Sequence, residues 1–165
     1  MNQRKETVIC RDLEGKEYVV PTSELTFRPS VYGILIKDDK VLLSPQFDGY
    51  DFPGGGMDID ESIDEALERE FWEETGLKVT KDTIVSCQTS FYKLKFSGNA
   101  VNAILMHYTV RFVSGELSIE GFDEMEKKFA RLAEWVGLDK VDSLKFCNSV
   151  DSPAAIRLAQ KMVSQ

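Results

Sequence analysis

The chain has 165 residues, enough for one ordinary domain to bury a core without disulfide or metal staples. It is 42% hydrophobic and 29% charged, no apolar run approaches the roughly 20 residues of a membrane span, and the three widely spaced cysteines (Cys10, Cys87, Cys147) form no CxxC pair, which argues for reduced thiols in a cytoplasm and against a zinc cluster. The net charge of −8 comes without a basic stripe, so binding of a nucleic acid polymer through its phosphates is not expected.

In chain order, residues 1–11 are charged and lack the apolar stretch of a signal peptide. Residues 7–10 and 17–20 read as a strand pair around Glu14-Gly15, and residues 31–36 and 41–44 as a second pair around the polar turn Lys37-Asp38-Asp39-Lys40. The triple glycine Gly54-Gly55-Gly56 is expected in a loop and not inside a regular element. Ser62 and Glu65 form an S-x-x-E capping box and Gly76 suits a left-handed stop, so a helix is predicted over 63–75. Strands follow at 84–96 and 100–113 around Ser97-Gly98-Asn99, then an acid-rich loop over 116–126 and a short strand over 132–136. Ser152 is expected to cap a last helix with Pro153 at its first position and Ala155, Leu158, Ala159 and Met162 on one face. The order of elements predicts an α/β fold, a sandwich of helices on a mixed or largely antiparallel sheet in a single domain spanning 1–165.

The charge is unevenly placed. Between Asp58 and Glu74 stand nine acids and one base, Arg69, while the other 148 residues hold 19 acids and 19 bases. At about 100° per residue, Glu70, Glu73 and Glu74 fall on the same side of the helix as Ile63, Ala66 and Leu67, whereas Glu65, Glu68 and Trp72 fall on the back. A solvated acidic face is therefore already supplied, and three further carboxylates near a core would repel one another and be driven toward protonation. A divalent cation relieves this, and oxygen-only ligands suit Mg²⁺ or Mn²⁺. Arg69, four residues before Glu73, can hold a carboxylate in place. The glycines just before the helix let backbone approach a ligand closely. A polyphosphate carried as its metal complex, and metal-assisted hydrolysis as the reaction class, follow from the combination.

The pattern Gly55-x5-Glu61-x7-Arg69-Glu70-Phe71-x-Glu73-Glu74-x-Gly76-Leu77 resembles the Nudix box, with all fixed positions filled, over residues 55–77. The flanking run from Val31 through Leu43 to Phe52-Pro53-Gly54-Gly55, and Glu134-Trp135-Val136, are similar to the family's strands, so the resemblance implies a Nudix-type α/β/α sandwich with a mixed β-sheet. It further implies hydrolysis, with Mg²⁺ or Mn²⁺, of a diphosphate bond in a nucleoside diphosphate linked to another moiety, with water as nucleophile. Glu70, Glu73 and Glu74 match the metal-binding carboxylates, Gly55 the loop glycine whose carbonyl binds metal, Arg69 the arginine that orients the acids, and Glu61 a supporting acid. Which residue is the general base is left open by the box.

Ser44-Pro45-Gln46 lacks the arginine that many members carry before the box, so Arg28 is a candidate phosphate contact. Tyr92 stands close to where a tyrosine lies in dinucleoside polyphosphate hydrolases of the family, while the proline expected in ADP-ribose hydrolases is replaced by Lys93. A further late-loop acid could come from Glu120, Asp123, Glu124 or Glu126. The base or sugar end of a small-molecule nucleotide is expected near Phe91, Tyr92 and His107 or at the acid loop. Trp72 is expected against the N-terminal strands, the alternative being a second subunit and hence a homodimer. The rival reading is a non-catalytic nucleotide-binding sensor on the same fold, which a degenerate box would favour.

Overall fold

β1 (Thr7–Arg11) and β2 (Glu17–Pro21) form an antiparallel hairpin with Val8 opposite Val20 and Ile9 opposite Val19. The hairpin belongs to a computed structural model of the chain that describes residues 5–122, 124 and 126–164. β1 lies parallel to β8 (Leu77–Lys93), β8 pairs antiparallel with β9 (Ala100–Gly115), β9 runs parallel to β3 (Thr26–Ile34), and β3 closes on β7 (Gly54–Gly56). The result is a mixed six-stranded sheet in the order β2-β1-β8-β9-β3-β7. A smaller antiparallel sheet is built on β5 (Lys40–Gln46), flanked by β4 (Ile36–Lys37) and β10 (Glu134–Gly137), with β6 (Gly49–Asp51) paired to the end of β5.

Two helices cover this framework. α1 (Ile63–Thr75) buries Ala66, Leu67 and Phe71 against Val31, Tyr108 and Val110 of the large sheet. α2 (Ser152–Val163) buries Ile156 and Ala159 against Ile34, Val41, Leu43 and Phe52. None of the described helices is long and apolar enough to cross a membrane. All three cysteines are free, Cys10 buried and Cys87 exposed.

The mixed α/β architecture follows the expectation, and α1 has the predicted bounds. Ser62 Oγ accepts from the Glu65 amide while the Glu65 carboxylate accepts from the Ser62 amide, and Gly76 takes the left-handed conformation at φ 76°. Five expectations are corrected. The run 31–36 is not one hairpin arm: residues up to Ile34 join the large sheet, and only Ile36–Lys37 turns onto β5 through Asp38 and Asp39, both at positive φ. The triple glycine is a strand, β7, because pairing with β3 supplies its backbone bonds and the crowded faces on either side leave no room for side chains. α2 is capped by Asp151, whose carboxylate accepts from the Ala154 amide; Ser152 is buried and donates to Asn148 instead. On that helix Ile156 faces inward and Leu158 is exposed. Trp72 is 44% exposed beside the 116–121 loop, away from the N-terminal strands, whose own cluster is built from Cys10, Val20 and Ala100.

Candidate active site

α1 sets its carboxylates at the edge of the core because Phe71 and Leu67 anchor it to the sheet on either side of Glu70. Arg69 organises them. Its Nη2 donates to Glu61 Oε2 at 2.7 Å and to the Gly56 carbonyl at 3.2 Å, and its Nη1 lies 3.0 Å from Glu70 Oε1 and 3.2 Å from Glu73 Oε2. The bonds from Arg69 outweigh desolvation and hold the Glu61 carboxyl at about 2. Burial pushes Glu70 above the ordinary carboxylate range, against the pull of Arg69 and with Glu73 adding to the rise. Glu74 accepts from Ser44 Oγ at 2.8 Å, so β5 reaches the helix through that hydroxyl.

Gly55 stands directly against Glu70. A Cβ there would lie 2.5 Å from Glu70 Oε2, so only glycine lets the β7 backbone and this carboxylate share the space. Among the described residues no group of three His, Cys, Asp or Glu side chains is gathered as a metal-holding set, since Glu73 is turned to Arg69 and Glu74 to Ser44. In kind, however, the donors fit a hard divalent cation: three carboxylates on one helix face, and the backbone of Gly55 on the same cavity wall beside Glu70.

These groups line a cavity of about 1240 Å³. Arg28 and Tyr92 meet on its wall, Arg28 Nη1 donating to the Tyr92 hydroxyl at 3.3 Å, so the two residues singled out in the sequence for substrate contact are brought together. Phe91 also lines it, but His107 does not. That ring is 1% exposed, stacks on Tyr32 at 5.1 Å, shares a hydrogen bond with Ser86 Oγ, and is held by burial at about 4, as a neutral imidazole of the core. Of the late-loop acids, Glu120 borders the separate cleft next to Trp72 and Glu124 pairs with Lys127 at 2.7 Å. Asp123 and the Glu126 side chain lie outside the described residues.

The sequence reading missed a buried polar group on the same wall. Asp51 accepts from Asn148 Nδ2 at 2.7 Å, the Phe52 amide at 2.8 Å and Gln46 Nε2 at 3.1 Å. Burial raises its carboxyl to about 7 despite those bonds. An acid between two turn-like segments gives no periodic signal, and its partner Asn148 is 97 residues away.

The family model of the NUDIX domain matches residues 26–156. The 8-oxo-dGTP diphosphatase of Buchnera aphidicola is 35% identical over 69 residues, 38% of this chain and 53% of that protein. An RNA pyrophosphohydrolase of Aeromonas hydrophila is 37% identical over 73 residues, 42% and 41% of the two chains. This chain thus spans about half, or less, of the length of the curated relatives it matches. Among solved structures, an ADP-ribose pyrophosphatase from Streptococcus suis superposes with a TM-score of 0.59 at 20% identity, covering 85% of this chain and 94% of that one, a likeness of fold.

Proposed function

The chain belongs to the Nudix family, and from that premise we propose that it hydrolyses a phosphate–phosphate bond of a nucleoside diphosphate linked to a further group. The observation that carries the reading is the filled acid face of α1, with Glu70, Glu73 and Glu74 opening on one cavity and Arg69 bonded to Glu61, Glu70 and Glu73. Glu70, Glu73, Glu74 and the Gly55 carbonyl would hold Mg²⁺ or Mn²⁺. Such an ion, when bound, polarises a phosphoryl oxygen and lowers the pKa of a water.

The chain's own residues do the rest. Arg69 fixes the rotamers of its acid neighbours and is itself locked by Glu61 and Gly56. Ser44 orients Glu74. Arg28, steadied by the Tyr92 hydroxyl, offers a cation to the phosphate that is not attacked. The N-terminal hairpin lies outside the matched segment, yet β1 pairs with β8 and Arg11 and Leu13 line the cavity, which supports one domain over 1–165.

A small nucleotide suits this protein better than a polymer, because the chain carries −8 overall and has no basic stripe to track a polymer's phosphates. An acid set with no member replaced favours an enzyme over a nucleotide sensor. The test is incubation with Mg²⁺ or Mn²⁺ and a panel of nucleoside triphosphates, dinucleotides, nucleotide sugars and phosphomonoesters, with products separated by chromatography. Release of a nucleoside monophosphate from a diphosphate-linked compound is the expected result. Preferential cleavage of p-nitrophenyl phosphate or AMP, or no cleavage at all, overturns it.

A further inference from the structure

The cavity carries opposite charge at its two ends. The α1 carboxylates stand beside β7, and across the large sheet from β7 lies the N-terminal hairpin, separated from it by β3, β9 and β8. The hairpin lies outside the matched segment 26–156, so what it adds to the cavity belongs to this chain and not to the shared domain. It adds Arg11. β1 meets β8 at the register pair of Arg11 with Tyr92, and both residues line the cavity. Tyr92 also accepts from Arg28 Nη1 at 3.3 Å, so a tyrosine stands between two arginines. From β3, which carries Arg28, to β1 is three strand spacings, roughly 14 Å.

Lys95 puts another cation on the same rim, its Nζ 3.4 Å from Glu14 of the hairpin turn. Arg11 gives Nε and Nη2 to the Glu17 carboxylate, with Nε at 3.0 Å, which leaves the Nη1 hydrogens for another acceptor. Both ion pairs are solvent-exposed and therefore weak, so either cation can turn to a more highly charged anion. Asp12, the hairpin's own acid on the cavity, is spent on its turn: it accepts from the Glu14 and Lys16 amides and from the Tyr18 hydroxyl. A diphosphate held at α1 and Arg28 leaves Arg11 and Lys95 without a role in its cleavage.

We propose that Arg11 and Lys95 bind a further phosphate of the substrate, remote from the diphosphate that is cleaved, so that the preferred substrates are nucleoside diphosphate derivatives carrying an additional phosphomonoester. The proposal rests on the hydrolase reading and deepens it. A phosphomonoester carries nearly two charges at neutral pH where a hydroxyl carries none, so the selection is electrostatic and fades with salt.

The experiment compares ADP-ribose with ADP-ribose 2′-phosphate, which differ by one phosphomonoester, using wild type, Arg11→Ala and Lys95→Ala. Wild type should favour the phosphorylated compound roughly tenfold in kcat/KM, through KM, and the preference should shrink as salt rises from about 50 to about 500 mM. Each alanine variant should cut that preference at least about threefold. Equal or reversed kcat/KM in wild type, a preference indifferent to salt, or one that survives either alanine variant overturns the proposal while leaving the hydrolase reading intact. Should wild type cleave neither compound, the hydrolase reading loses its support from these substrates, and calorimetry decides the phosphate contact separately. Tighter binding of the phosphorylated compound to wild type than to Arg11→Ala upholds it, and equal or absent binding overturns it.

Discussion

Gly55 lies so close to Glu70 that a methyl group on the first would stand 2.5 Å from a carboxylate oxygen of the second. Gly55→Ala is therefore expected to displace Glu70 and its bond to Arg69 while leaving the helix cap and the core of α1 intact. Turnover should fall at least about tenfold with little change in the thermal midpoint, because the side chain displaced is polar and at the core edge. Paired kinetics and melting curves check it; unchanged kcat would remove Gly55 from the site.

Glu73→Gln and Glu74→Gln each delete a charge and preserve shape. Each should lower kcat by roughly a hundredfold or more and weaken the dependence on Mg²⁺. The fold should survive, since an amide oxygen in place of the Glu74 carboxylate can still accept from Ser44 and one fewer charge crowds the helix face. Near-wild-type rates in both variants would sink the assignment of this face.

A cation that binds the folded acid cluster and not the unfolded chain raises the melting temperature. At about a hundred times its Kd, Mg²⁺ or Mn²⁺ should add roughly 5–10 °C over the value in EDTA. Coincident curves, with no heat of binding by calorimetry, would leave α1 an acidic surface without a cation role.

Asp51 makes stability depend on pH in a defined direction. Its carboxyl is held at about 7 in the folded protein by burial, against an ordinary value of about 4 when unfolded. Below about pH 4 both states carry the proton. Between the two values the unfolded chain releases it and the folded one retains it, so stability falls as pH rises through that window and levels off above about 7. The difference in urea midpoint between wild type and Asp51→Asn should shift steadily over this range, in favour of the variant at the alkaline end. A difference that stays flat from about pH 4 to about pH 8 would contradict the raised value.

What could be read from the sequence is what depends on neighbours along it. The capping box at Ser62 and Glu65, the stop at Gly76 and the acid face of α1 are local patterns, and each is found in place. The site beyond the box depends on closure in space. Ser44 meets Glu74 across 30 residues and Arg28 meets Tyr92 across 64. Arg28 and Tyr92 could be named as candidates, but only the β3–β9–β8 register brings them together. In isolation a glycine run signals a break in a strand; opposite β3, the absence of side chains is what allows a strand so close to Glu70 and Arg28.

His107 is the chain's sole histidine, and its ring lies stacked on Tyr32, a residue of the cavity wall. The protein therefore carries one imidazole proton spectrum, with no second ring to overlap it. Because the ring stays neutral from mild acid to alkaline conditions, its resonances do not drift with buffer. A movement in them on adding a nucleotide or a cation records a change in the packing around the ring, where Tyr32, Phe52 and Ser86 lie against it, and so gives a label-free readout from inside the core.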